Sequence, residues 1–407
     1  MKKFDIPEFY KSPIISNIKS KRKILDPRKK DYSPTSLEFE NVTFLISRHF
    51  GFCYGVENAI EIAYKAIDEN PGKNIFLLSQ MIHNPNVNDD LTEKGIKFIQ
   101  DTHGNELIDI NTLTKDDVIL IPAFGASVEM EKKLLNIGVD IKKYNTTCPF
   151  VEKVWKRSEK LGSSNHSIII HGKSKHEETR ATFSRSHQNA PTLIIKDIND
   201  AKILGEIILD NKKKQDFYTV FEGRYSKDFD IKTDLNKIGV VNQTTMLATE
   251  TQEISDYLKN IMLQKYGAND LPNHIADTRD TLCYATNDNQ SSTIGLMKNK
   301  IDMSIVVGGY NSSNTTHLVE LLEQKSTTFF IKDDTEIISN HEINHFDIHS
   351  KSIKTIKPYL PSKSKPVIAF TSGASCPDSI MDKVIHRFLE IFEIENQIDK
   401  AIENALK

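Results

Sequence analysis

VTFLISRHFGFCYGVENAIEIAYKAI, residues 42–67, contains one complete unit of alternating structure. VTFLIS (42–47) reads as a buried strand, and Val56, Ile60, Ala63 and Ile67 then recur at spacings of four, three and four, the period of an amphipathic helix. RHFGFCYG lies between them, so Cys53 follows a strand and opens a helix. The same pattern continues along the chain. IFLLS (75–79), VILIPA (118–123), SIIIHG (167–172), TLIIK (192–196), IGVV (238–241), MSIVVGG (303–309), FFI (329–331) and VIAFTSG (367–373) are short apolar runs, nearly all followed by polar or glycine-rich loops and helical stretches. This alternation predicts an α/β fold with mostly parallel sheets. In such sheets the loops leaving the C-terminal strand edges gather on one side, where binding sites form.

A chain of 407 residues exceeds the usual range of one domain and implies two or three compact units. Hydrophobic residues make up 38%, charged residues 27%, and the net charge is -3, which indicates neither disorder nor a nucleic-acid binder. Mean hydropathy is -0.42 and no apolar run is long enough to span a bilayer, so membrane insertion is not expected. Residues 1–41 are basic and rich in proline, with weak periodicity, and are expected to form a loosely ordered arm before a fold that begins near Val42. They lack the apolar core of a secretory signal, and Asp5, Glu8, Asp26 and Asp31 count against a transit peptide. A cytoplasmic protein is the expectation.

The four cysteines are Cys53, Cys148, Cys283 and Cys376. They are too sparse for a disulfide framework, and no CxxC pair marks a zinc finger. Small buried thiols are the ordinary reading of such a set. Cys148 precedes Pro149, a residue suited to the first helical position, and Cys376 before Pro377 repeats the arrangement. The stretch ADTRDTL ahead of Cys283 is not a convincing strand. The first three cysteines are 95 and 135 residues apart, so each could border its own α/β unit. That places lobes at about 42–147, 148–282 and 283–394, with a tail at 395–407. Residues 212–234 and 333–366 read as surface elaborations. His341, His345 and His349 in the latter recur every four residues, but their polar surroundings favour solvated side chains over a metal face.

GFCYGVENAI, the pair His83 and Asn84, TTCPFVEKVW, HEETRAT, NQTTM, TLCYATNDNQ, GGYNSSNTTHL and TSGASCPD follow one another from Gly51 to Asp378. In this order they resemble the 4-hydroxy-3-methylbut-2-enyl diphosphate reductases, the IspH or LytB family, over about four-fifths of the chain. The resemblance implies three similar α/β lobes in a trefoil-like arrangement around a central [4Fe-4S] cluster, with Cys53, Cys148 and Cys283 as ligands. Three thiolates leave one iron open to a substrate oxygen, whereas a fourth, from Cys376, would favour simple electron transfer. A redox or iron-sensing protein with four thiolates and a zinc-dependent hydrolase are the competing readings.

The family also implies a substrate set. His83, His176, Thr244, Ser312, Ser313, Asn314 and Ser375 stand where it contacts the diphosphate, a group whose dense charge needs many directed donors. Glu178 in HEETRAT matches its essential acid and Thr244 a relay hydroxyl, with His176 beside them in the catalytic set. Glu177 should point elsewhere on the helix. The implied reaction is reductive loss of the allylic hydroxyl, the last step of the methylerythritol phosphate route to isoprenoids, with electrons from a ferredoxin or flavodoxin because no nicotinamide or flavin fingerprint is present. One position departs from many bacterial members. Phe124 in AFGAS stands where they carry a histidine, as in the plant and cyanobacterial branch, and a neutral ring cannot donate to phosphate. His171 is a candidate replacement, against its ordinary reading as a loop histidine.

Overall fold

The computed structural model describes residues 4–209, 216–276 and 281–406. The chain begins with helix α1 (Pro13–Leu25), strands β1 (Thr35–Glu38) and β2 (Thr43–Ile46), α2 (Tyr54–Glu69), β3 (Ile75–Leu77), α3 (Pro85–Glu93), β4 (Lys97–Phe98), β5 (Val118–Leu120) and α4 (Val128–Ile137). Next come α5 (Pro149–Ser163), β6 (Ser167–His171), α6 (Glu177–Ser186), β7 (Thr192–Ile195), α7 (Ile198–Leu209), α8 (Phe217–Val220), β8 (Ile238–Asn242) and α9 (Ala248–His274). The last part holds α10 (Tyr284–Met297), β9 (Met303–Val307), α11 (Ser313–Glu323), β10 (Thr327–Ile331), β11 (Ile343–Asp347), β12 (Ser352–Ile356), β13 (Val367–Ser372), α12 (Asp378–Ile391) and α13 (Ile398–Ala405). Each of the nine short apolar runs forms a strand. No helix among the described residues is long and apolar enough to cross a membrane.

The chain divides into two compact units. The first comprises Met1–Glu57, His83–Val87 and Tyr284–Lys407. Its sheet has the order β1-β2-β13-β9-β10, parallel except where β1 joins β2. Both faces are buried, which is why β2, β9 and β13 read as continuous apolar runs instead of alternating ones. On one face Phe44, Ile46, Ile305 and Phe370 pack with Phe388 of α12; on the other Leu45, Val306, Phe330 and Ala369 pack with Leu318 of α11.

The second unit comprises Asn58–Ile82 and Asn88–Cys283. It contains two three-stranded parallel sheets, ordered β4-β3-β5 and β7-β6-β8. Their main cores centre on Ile119, Ile121 and Leu134 and on Ile169, Leu193 and Val240 respectively.

Two expectations are corrected. Residues 1–41 contain ordered elements: Ser12 caps α1, accepting from the Ile15 N–H at 3.1 Å, and Ile15, Ile18, Leu37 and Phe39 are buried in the first unit's core. The apolar positions of α1 lie three apart in a background of Lys and Ser, too thin a stripe to stand out beside the charge. Nor does a lobe of 42–147 follow the sheets, because β2 pairs with β13, over 300 residues later. Ile15→Ala is therefore expected to cost about 2–5 kcal/mol, as for other buried large-to-small changes, measured by the shift of the urea midpoint at constant slope.

The elaboration at 333–366 contains an antiparallel pair, β11 with β12. On this hairpin His345 meets the Phe329 ring edge-on, while His349 lies 2.8 Å from Glu323. A four-residue repeat makes a common face only on a helix, and here the chain is a strand and a turn. Of the 212–234 stretch, 212–215 lie outside the described residues, as do 277–280 of ADTRDTL.

Candidate active site

In the first unit the loop after β2 reverses at Gly51, whose φ is +79°; a side chain there would also meet the Lys19 ammonium, 2.9 Å from an ideal Cβ. That turn delivers Cys53 to the start of α2. The Cys53 N–H donates to the Ala374 carbonyl at 3.1 Å, and the Ala374 N–H donates to Asn314 Oδ1 at 2.9 Å. Asn314 sits in the first turn of α11, behind Ser312, which caps the helix, and Ser313. Ser375 Oγ donates to the His83 carbonyl at 3.0 Å. Gly309 approaches that same carbonyl so closely that an added Cβ would collide with it. Cys53, His83, Ser312, Ser313, Asn314 and Ser375 are thus held in one group, five of them less than a tenth exposed. The first turn of α11 adds free N–H groups and a positive dipole end, which suits an anion.

In the second unit the Cys148 N–H donates to the Ala123 carbonyl at 3.0 Å. The adjacent Phe124 presents its ring edge-on to His176, centroids 5.6 Å apart. His176 caps α6: its Nδ1 accepts the Glu178 N–H at 3.2 Å, which leaves Nε2 to carry the ring proton. The Glu178 carboxyl is buried, 1% exposed, and meets Thr244 twice. Oε1 accepts the Thr244 N–H at 2.5 Å and Oε2 lies 2.9 Å from Thr244 Oγ1. The Cys283 N–H in turn donates to the Thr244 carbonyl at 3.4 Å.

Burial pushes Glu178 up to about 7, against the two Thr244 bonds that favour its charged form. A carboxyl with that value exchanges its proton near neutrality. Since a backbone N–H can only donate, Oε1 must stay the acceptor, and the proton of the acid form resides on Oε2, facing the Thr244 hydroxyl. Glu177 points away, as expected, and accepts from Ser79 Oγ.

A model of the LytB protein family matches residues 44–389. The chain belongs to the LytB family. Among curated proteins, the 4-hydroxy-3-methylbut-2-enyl diphosphate reductase of Gloeothece citriformis is 39% identical over 86% of this chain and 85% of its own length. That of Synechocystis is 38% identical over 90% and 94%. A solved structure from Plasmodium falciparum, described as E-1-hydroxy-2-methyl-but-2-enyl-4-diphosphate reductase, superposes with a TM-score of 0.59 at 23% identity, covering 84% of this chain and 86% of that one, and so shares the fold.

The LytB family is an iron-sulfur family, and this chain's thiols can be tested for fit to a cluster. Cys53, Cys148 and Cys283 each directly precede the first residue of a helix, where backbone N–H groups and the dipole favour a thiolate. Burial raises the Cys53 thiol above its ordinary value, while the Val56 and Gly55 N–H groups draw it down. No disulfide joins any of the four cysteines. Cys376 differs: it is wholly buried in the core with Phe44 and Phe388, its Sγ is 3.5 Å from the Pro377 carbonyl, and burial pushes it up to about 12. Helix α12 starts one residue later than the CP pair implied, with Pro377 as the cap. Their place at helix starts makes the first three candidate ligands, and the apolar enclosure of Cys376 leaves it outside that set. Among the described residues no three His, Cys, Asp or Glu side chains are gathered for a single metal ion. A cubane spreads its thiolates over separate irons.

His171 is not a loop residue in this LytB chain. It ends strand β6, fully buried, with Nδ1 2.9 Å from Thr251 Oγ1. Some positioning residues escaped the sequence reading. Asn289 Nδ2 lies 3.4 Å from Asn314 Oδ1, Thr286 Oγ1 lies 3.5 Å from Asn314 Nδ2, and Gln243 Oε1 accepts from Thr179 Oγ1 at 2.9 Å. The signal was present in TNDNQ, where Thr286, Asn289 and Gln290 share one helix face at spacings of three and one. Asn314→Ala strips the Ala374 N–H of its acceptor and is expected to raise KM for a diphosphate substrate about tenfold, from a loss of about 1–3 kcal/mol, with kcat less affected.

Proposed function

We propose that this chain reduces (E)-4-hydroxy-3-methylbut-2-enyl diphosphate to isopentenyl and dimethylallyl diphosphates, using a ferredoxin or flavodoxin as electron donor in the cytoplasm. The observation that carries the reading is the buried Glu178 carboxyl, near neutrality in its titration and locked to Thr244 in the unit that also bears Cys148 and Cys283. The names of the relatives supply the substrate.

The reaction breaks one C–O bond, consumes two electrons and two protons, and releases water. A bound [4Fe-4S] cluster held by Cys53, Cys148 and Cys283 would supply the electrons and an open iron as Lewis acid for the hydroxyl. The protein supplies the rest. The α11 N-terminus with Ser312, Ser313, Asn314, Ser375 and His83 binds and orients the diphosphate. His176, with its proton on Nε2, is a further donor to the anion. Glu178 holds a proton on Oε2, and Thr244 Oγ1 can accept it while giving up its own, which moves the proton one hydroxyl along without moving the carboxyl. Burial keeps bulk water from competing for that proton.

Anaerobic purification with iron and sulfide analysis, followed by turnover with dithionite-reduced methyl viologen, tests this. Four irons and four sulfides per chain with release of both C5 diphosphates are expected. A colourless protein that leaves the substrate intact after reconstitution with iron and sulfide contradicts it.

A further inference from the structure

Residues 1–33 contain ten Lys and Arg against four Asp and Glu, a net charge of +6 in a chain whose total is -3. The remainder is therefore at -9, and positive charge is concentrated in one segment. Lys23, Arg28 and Lys30 are exposed, and Lys21 and Lys29 are half-exposed. The nearby carboxylates do not cancel them. Asp26 accepts the backbone N–H groups of Lys30 and Asp31 at 3.1 and 3.0 Å and faces Arg48 at 3.8 Å, while Asp31 pairs with Arg22 at 3.0 Å. Among the described residues, the side chains of Lys21, Lys23, Arg28 and Lys30 make no ion pair.

Within this basic surface the end of α1 turns two large apolar side chains to water, Ile24 at 79% and Leu25 at 55% exposure. The same helix buries Ile15 and Ile18, so it has a core face and a second apolar site that no described residue covers. Exposed apolar side chains ringed by charge have the anatomy of a docking site, with a small apolar centre and a polar rim.

The segment is also tied to the loop that carries Cys53. Phe4 meets the Tyr54 ring edge-on at 4.8 Å, Tyr10 meets Phe52 at 5.6 Å, and Tyr32 meets His49 at 5.8 Å. Lys19 lies 4.7 Å over the Phe50 ring and pairs with Asp378 at 2.7 Å. A partner seated on α1 therefore rests on the element that fixes one candidate cluster ligand.

We propose that this patch docks an acidic one-electron carrier protein. The inference rests on the reductase reading above, which requires two electrons per turnover from outside the chain. Two reduced carriers would each be oxidised by one electron, and the substrate would gain both with two protons as its C–O bond breaks and water leaves. Charge complementarity suits such a partner because it speeds encounter and lets the spent carrier depart, where a large apolar interface would retain it.

The test uses the full chain with two electron sources, a reduced plant-type ferredoxin and dithionite-reduced methyl viologen, which needs no docking surface. Lys21→Glu with Lys23→Glu and Arg28→Glu, and separately Ile24→Ser with Leu25→Ser, are expected to raise KM for ferredoxin about tenfold or more. The charge variant also loses the salt dependence of the wild type. Viologen-driven turnover stays within about twofold, as no altered residue belongs to the substrate site. Unchanged ferredoxin KM in both variants overturns the proposal. So does unchanged KM with binding of the wild type to phosphatidylserine vesicles, which would assign the patch to a membrane surface. Absence of viologen turnover in the wild type would instead overturn the reductase reading, and this proposal with it.

Discussion

Glu178→Gln is expected to lose at least about 100-fold in kcat with viologen as donor while keeping the visible absorption of the cluster, since a positioned general acid contributes about 10²–10⁴. The replacement is close to isosteric. Its amide oxygen can still accept the Thr244 N–H, and its amide nitrogen can donate to Thr244 Oγ1, so both contacts of the buried carboxyl survive in form. What disappears is the proton on Oε2. In the wild type kcat should fall as pH rises through about 7, because burial places the Glu178 titration there and only the protonated form can give a proton. The glutamine variant should lack that limb. The same shift has a consequence for stability: the folded-state value lies above that of an unfolded carboxyl, so proton binding favours the fold. That contribution is complete below the unfolded value and is lost as pH rises through about 7. A variant that turns over at the wild-type rate, or a wild-type limb that persists in it, removes Glu178 from the role of acid.

Cys53→Ser, Cys148→Ser and Cys283→Ser, each alone, are expected to abolish most cluster retention and with it essentially all turnover, whereas Cys376→Ser retains both. Each of the first three thiols stands directly before the first residue of a helix, while Cys376 is enclosed by apolar side chains. Cys376→Ser places a hydroxyl in that core, so its expected effect is on stability, about 1–3 kcal/mol in a urea titration. Iron per chain after anaerobic purification, read with activity and the unfolding midpoint, separates the two cases. Cluster loss in Cys376→Ser without loss of folding would reverse the assignment.

Much of this was legible in the residues. Nine apolar runs became strands because a parallel sheet covered on both faces needs continuous Val, Ile and Leu, and β6, β8, β9 and β13 are buried along nearly their whole length. The motif residues were found in order, and within each unit they are joined by backbone bonds, Cys53 to Ala374 and Cys283 to Thr244. Strand partnership was not legible. The pairing of β2 with β13 is set by packing across more than 300 residues, and no local periodicity carries it. Residues 1–41 were misjudged because charge masked the spacing of Ile15 and Ile18, and β1 is four residues long with Leu37 its one apolar side chain. His171 was read as a loop histidine although the run SIIIHG already contained it, and strand β6 ends on it.

The central claim is that Cys53, Cys148 and Cys283 hold one cubane with a single iron left for substrate. Mössbauer spectroscopy of ⁵⁷Fe-reconstituted enzyme, recorded with and without (E)-4-hydroxy-3-methylbut-2-enyl diphosphate, tests it most directly. One iron should differ from the other three, and its signal alone should change when substrate is added. Four equivalent irons, indifferent to substrate, would contradict the account.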